Sequence, residues 1–258
     1  MQRIQAFEFN ELSSCPKFIR DCLIEILGNA IRWGNIFGGV GPIFKEFCDK
    51  CGCETILDIC SGSGEPASIL IESLYKQDVP APNFVISDLF PKIHAMEEVA
   101  KKHPGKIEIV RDPVDATDVP KMFDQPARTI INAFHHFPPK LGSQILYDCV
   151  SKKRGIFILE GFPRNFKCFS AMIPSLSAAM LLNPVLTKED KLLKIIFTYY
   201  IPLIAILGVW DSTISVFRIY SKDEIIKMAK DVGPNYKWEY HEIPFLPWGR
   251  AVVFSGLP

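Results

Sequence analysis

Residues 55–66 read TILDICSGSGEP, a short apolar strand closed by Asp58 and followed at once by a turn carrying Gly62 and Gly64. Bare backbone at the carboxyl end of a strand lets a ligand approach closely, and the acid stands ready for a cation or a hydroxyl. The same rhythm then repeats. NFVISD ends at Asp88, KIEIVRD leads into PVDATD, RTIINA leads into FHHFPP, and GIFILEG ends beyond Glu160. Helical patterns separate these runs at Glu65–Tyr75, Pro91–Lys102 and Leu141–Lys152, and Pro66 suits a first helical turn. Continuous apolar strands alternating with amphipathic helices predict βαβ units and a parallel sheet over residues 55–161.

Farther on, Ser221 caps SKDEIIKMAKDVG, with Asp223 and Glu224 in the first turn and Gly233 as the stop. YKWEYHEIPF and RAVVFSGLP then close as a hairpin. The expected fold is α/β: a doubly wound, mostly parallel, seven-stranded Rossmann-like sheet with an antiparallel C-terminal strand and a helical cap. An N-terminal helical segment (1–54), an α/β domain (55–164 and 219–258) and an apolar helical cap insertion (165–218) are expected to divide the chain. Within the insertion, 168–187 and 195–210 carry no charge. Pro174, Asn183, Pro184 and Pro202 argue against a membrane span, so a cap over the ligand edge is preferred. Peripheral membrane contact through 168–210 and a homodimer interface stand as alternatives.

Acids and bases balance at 29 each, with no basic stripe, so nucleic acid is not an expected partner. MQRIQAFEFNEL lacks the apolar stretch of a signal peptide, which points to a cytoplasmic protein whose eight cysteines are free thiols. Cys48, Cys51 and Cys53 lack a second Cys/His pair at zinc-site spacing, and no metal site is expected.

The strand ends gather Asp58 with Ser61–Gly64, then Asp88, Asp115 with Ala116, Asn132–His136, and Glu160. Successive carboxylates suit hydroxyl and amine donors better than phosphates, so the site fits a nucleoside without pyrophosphate. On these motifs the chain resembles the class I S-adenosylmethionine-dependent methyltransferases over residues 55–161, and in the order of its final helix and hairpin. LDICSGSG is similar to that family's first motif, except that Cys60 stands where glycine is usual and restricts the backbone. The resemblance implies S-adenosylmethionine as cofactor. It implies that Asp58 and the backbone of Cys60, Ser61, Gly62 and Gly64 hold the methionine portion. Asp88, with Leu89 beside it, would take the ribose hydroxyls. Asp115 and the Ala116 N–H would take adenine, while Asn132, Ala133 and Phe134 would run under the sulfonium.

A sulfonium donor needs an aligned acceptor and, for a protonated acceptor, a base. His135 and His136, at the mouth of the fourth strand, are the candidates for that base, or else a packed ring and a cap. Glu160, Arg164, Trp210, Asp211 and Arg218 are the candidate acceptor contacts, although Asp211 and Arg218 are better read as a structural bridge. The apolar insertion argues for a small hydrophobic acceptor. Two other readings compete. Gly62-Ser-Gly64-Glu-Pro-Ala67 also fits an NAD(P)-dependent oxidoreductase fingerprint, though Asp58 would repel a pyrophosphate. A non-catalytic S-adenosylmethionine-binding scaffold is the second.

Overall fold

In the computed structural model, which describes residues 2–187 and 189–258, five parallel strands and a terminal hairpin form one sheet. The strands are β1 (Thr55–Asp58), β2 (Asn83–Ile86), β3 (Ile107–Ile109), β4 (Ala127–Ile131), β5 (Gly155–Glu160), β6 (Lys237–Phe245) and β7 (Gly249–Leu257). Their order is β3-β2-β1-β4-β5-β7-β6, with β1 to β5 parallel and β7 antiparallel to both neighbours. The expected seven-stranded sheet is therefore present. An antiparallel strand between the fifth and sixth departs from the 3-2-1-4-5-6 dinucleotide order, which removes the fold basis of the oxidoreductase reading.

The helices are α1 (Lys17–Trp33), α2 (Gly41–Cys51), α3 (Glu65–Tyr75), α4 (Ile93–Lys102), α5 (Pro139–Ser151), α6 (Phe166–Ser170), α7 (Ile173–Leu186), α8 (Lys191–Ile195), α9 (Leu203–Arg218) and α10 (Lys222–Val232). Strand residues alternate between two cores because successive side chains face opposite ways. Ile56, Phe84, Ile86, Phe157 and Leu159 pack with Phe44 and Phe47 of α2 and Leu70 and Leu74 of α3. Leu57, Val85, Ile130, Ile156 and Ile158 pack with Ile145 of α5 and Ile225 of α10 on the other face. Both faces are covered, which is why the strands read as unbroken apolar runs. Ser221 and Glu224 form the expected capping box on α10, and Gly233 ends it.

A third core lies away from the sheet. Ile19, Cys22, Leu23 and Ile26 of α1 meet Leu176, Ala179 and Met180 of α7 and Ile204 and Leu207 of α9. The N-terminal helix and the insertion thus pack together. A π-helical turn, Ile196–Tyr200, joins α8 to α9 across a 79° bend. Among the described residues no single helix is long and apolar enough to cross a membrane. The outer side of this layer nevertheless exposes Leu181, Val185, Leu186, Leu192, Tyr200, Ile206 and Val209.

Candidate active site

The glycine turn is built by its own acids. Asp58 is buried at the end of β1, where its carboxylate accepts the Ser61 and Thr129 hydroxyls, each at 2.6 Å. Burial pushes this carboxyl up to about 7, with the two hydroxyls acting against the shift and Asp88 adding to it. Asp88 accepts the Gly62 N–H at 2.7 Å on one oxygen and the Phe90 N–H at 2.8 Å on the other. Cys60 does take a left-handed conformation, φ 63°, despite its side chain, and Gly62 and Gly64 follow at 57° and 81°. The Cys60 thiol is raised well above its ordinary value, first by burial and then by Asp88, Asp58 and Asp115. Asp58 and Asp88 therefore converge on one turn.

A methyl group placed on Gly62 would meet nothing within 4 Å, whereas on Gly64 it would lie 2.9 Å from Ile86 Cδ1. The open space before Gly62 runs into a cavity of about 260 Å³ between the sheet edge and the α1, α7 and α9 layer. Cys60, Ser61, Gly62, Asn132, Ala133, His135 and His136 line it on the sheet side. Leu23, Ile26, Met172, Leu176 and Met180 supply its apolar wall, with Phe162 and Phe169 beside them.

His135 is buried, and its Nδ1 lies 2.8 Å from Glu160 Oε2 while Glu160 Oε1 accepts its backbone N–H at 3.0 Å. Burial alone would lower the His135 pKa, but the Glu160 carboxylate, helped by Glu8, outweighs it and raises the value. His136 stacks on that ring at 4.1 Å, with its Nδ1 2.6 Å from Glu11 Oε1. Burial would also raise the Glu11 carboxyl, yet His136 and Arg218 hold it well below the usual carboxylate range. With both Nδ1 atoms facing carboxylates, each imidazole is fixed in orientation.

Several expected positions fall elsewhere. Asp58, Gly64, Asp88, Leu89, Asp115, Ala116 and Phe134 do not line the cavity. Phe134 is directed into the core against Tyr220, and Asp115 Oδ1 accepts the N–H and hydroxyl of Thr117. Among the five proposed acceptor contacts, only Asp211 reaches the cavity. Glu160 sits behind His135, and Arg164 ties the Ile219 carbonyl to Glu224. Trp210 donates to the Phe7 carbonyl. The expected Asp211–Arg218 bridge is replaced by a clasp on the N-terminal segment. Asp211 accepts the Phe9 and Asn10 N–H groups, and Arg218 takes Glu8, Glu11 and the Ala6 carbonyl.

That segment is what sequence reasoning missed, since Glu8 and Asn10 line the cavity. The available signal was two acids inside the aromatic stretch AFEFNEL, because charges set in apolar sequence are usually paired. Lys92, lowered by burial, also lines the cavity and was not foreseen.

Comparison with solved structures places this architecture. A candidate O-methyltransferase from Nostoc punctiforme PCC 73102 superposes over 100% of this chain and 64% of its own, with a TM-score of 0.52 at 12% identity. Human N-acetylserotonin methyltransferase, solved in complex with S-adenosylmethionine, superposes over 93% of this chain and 56% of its own, with a TM-score of 0.50 at 10% identity. The chain thus spans less than two thirds of either protein. No protein-family model and no curated protein sequence matches it. The fold is that of the class I methyltransferases: the seven-stranded sheet with its reversed β7, under a helical cap.

Proposed function

We propose that the protein transfers a methyl group from S-adenosylmethionine to a small, hydrophobic acceptor held under the cap. The observation that carries this reading is a single cavity joining the Cys60–Ser63 turn, the oriented His135 and an apolar wall. When bound, the sulfonium cofactor supplies an electrophilic methyl group. The residues fit its chemistry: Asp58 and Asp88 bond the turn, and the space before Gly62 is open. Asp88 uses one hydrogen bond on each oxygen and keeps lone pairs for two hydroxyls. The Ala116 N–H donates to no described group and is free for a ring nitrogen. Asp58 acts through Ser61, shaping the turn from beneath.

His135 is the base in this reading, because Glu160 holds its Nδ1 and leaves Nε2 to accept the acceptor's proton. The cap excludes water and aligns the acceptor, which can supply about 7–11 kcal/mol of the barrier. The scaffold alternative differs in leaving this aligned base without use. The alternatives of peripheral membrane contact and a homodimer for residues 168–210 rest on the exposed outer face of α7 and α9.

The test is to incubate the protein with S-adenosylmethionine and a panel of hydroxylated aromatics, following S-adenosylhomocysteine. Turnover with some apolar acceptors supports the reading; cofactor binding without product from any acceptor favours the scaffold.

The two glycines separate folding from binding. Gly64→Ala adds both a left-handed strain of about 1–2 kcal/mol and the Ile86 contact, so thermal stability falls. Gly62→Ala carries a similar strain of about 1–2 kcal/mol but no clash, and places its methyl where the cofactor's methionine end would lie. Its loss should appear in cofactor affinity more than in the melting curve. Equal melting losses with unchanged affinity would contradict the placement.

A further inference from the structure

We propose that Glu8, His135 and His136 form a binding site for a divalent first-row transition-metal ion, placed to contact the acceptor in the cavity. The proposal deepens the methyl-transfer reading and rests on it for the ion's purpose, though not for its binding. One carboxylate oxygen of Glu8 and one ring nitrogen of each histidine lie within 4.8 Å of one another. All three residues line the cavity.

The surroundings are those of a ligand set. Glu160 holds Nδ1 of His135 at 2.8 Å and Glu11 holds Nδ1 of His136 at 2.6 Å. Neither Nε2 has a hydrogen-bond partner among the described residues; Nδ1 of His136 also lies 3.1 Å from Arg218 Nη1, so its Nε2 is the ligating nitrogen in the tautomer whose Nδ1 proton faces Glu11. Metal-bound histidines almost always pass their other N–H to a carboxylate, a backbone carbonyl or water, which fixes the tautomer and raises ligand basicity. Here both rings place Nδ1 against a carboxylate, and a base alone would need only one. Glu8 is placed with equal care. Ser215 donates to its Oε1 at 2.9 Å and Arg218 lies 3.2 Å from the same oxygen, while among the described residues Oε2 accepts the Asn10 amide at 3.3 Å.

Charge balance points the same way. Glu8, Glu11, Glu160 and Asp211 surround the cluster, against Arg218 and Arg3, which lies 3.0 Å from the His135 carbonyl. The surplus of carboxylates suits a cation. Two imidazoles and one carboxylate match first-row ions such as Zn²⁺, Fe²⁺ or Co²⁺, and three ligands leave coordination positions for an acceptor oxygen. Sequence spacing could not show this, because Glu8 belongs to the N-terminal segment and is brought to the histidines by tertiary contacts, among them the Arg218 and Asp211 clasp and the Arg3 bond to the His135 carbonyl. An ion here would occupy the His135 lone pair, so His135 accepts a proton only in the metal-free chain; with the ion bound, the acceptor would enter as its oxyanion, its proton already lost to solvent, and the ion would hold that oxygen.

The full chain, stripped with a chelator and desalted, is titrated with Co²⁺ and the visible d–d band recorded. Zn²⁺ binding is measured by calorimetry on the same samples. One equivalent is expected, with Glu8→Gln and His136→Gln each weakening it. Glu160→Gln should cost about 10–100-fold, as loss of a supporting carboxylate does elsewhere. His241→Gln, on the edge strand β6, should bind as the parent does. Because Glu8→Gln also loosens Arg218, thermal melts accompany every variant, and His136→Gln tests the site independently. Absence of a band under saturating Co²⁺, or equal binding by the parent and a folded His136→Gln variant, overturns the proposal. S-adenosylmethionine titrated on the same samples keeps the two readings apart. Cofactor binding without a band removes the metal site alone, and a band without cofactor binding removes the methyl-transfer reading.

Discussion

His135→Ala is expected to lower turnover by about 10²–10⁴-fold, the range associated with a positioned base. Affinity for S-adenosylmethionine should stay nearly unchanged, because the turn and the strand-end acids are untouched. His135 is 3% exposed and makes two contacts with Glu160, so truncation also opens space. His135→Gln fills most of that space and should show the same loss of turnover, which separates chemistry from packing. Glu160→Gln should fall between the parent and His135→Ala, since it keeps an acceptor for Nδ1 and removes the charge. A drop in kcat with KM for the cofactor preserved marks an interaction made in the transition state. Full activity in both His135 variants would contradict the assignment.

Arg218→Ala is expected to cost about 3–5 kcal/mol of stability, as removing one member of a buried ion pair does. In a chain of this size that corresponds to a fall in Tm of about 6–20 °C. Arg218 and Glu8 are 3% and 2% exposed at the side chain, and Arg218 also holds Glu11 and the Ala6 carbonyl. Truncation leaves two carboxylates facing Asp211, whose own carboxyl is already raised by burial. The double variant Glu8→Gln/Arg218→Ala should lose less than the sum of the single losses, with a coupling of about 0.5–3 kcal/mol. Additive losses, or a melting curve for Arg218→Ala that overlays the parent's, would show that the clasp contributes little.

What the sequence disclosed was local. The strand–acid–glycine run at residues 55–66, the capping box at Ser221–Glu224 and the paired terminal strands each rest on neighbours in the chain. Each stands where the pattern put it. The alternation of Ile56 and Leu57 between two cores follows from the strand repeat alone. The site's far wall did not follow. Asp211 and Arg218 stand seven positions apart on α9, which invited a direct pair, yet both turn to a segment from the opposite end of the chain. Glu160 was visible as a strand-end acid, but nothing local showed that His135 would claim both its oxygens. Cys60 was the reverse case: its side chain argued against positive φ, and the hydrogen bonds around Ser61 and Asp88 impose that conformation regardless. Tertiary partners decided these positions, and no periodicity encodes a partner.

The central claim is that this sheet edge holds a sulfonium nucleoside. Calorimetric titration of the purified chain with S-adenosylmethionine and, separately, with NAD⁺ tests it, with Asp88→Asn as the companion variant. The structure predicts saturable binding of the first compound, weakened by Asp88→Asn, and no binding of the second. Heat from NAD⁺ with none from S-adenosylmethionine would contradict it.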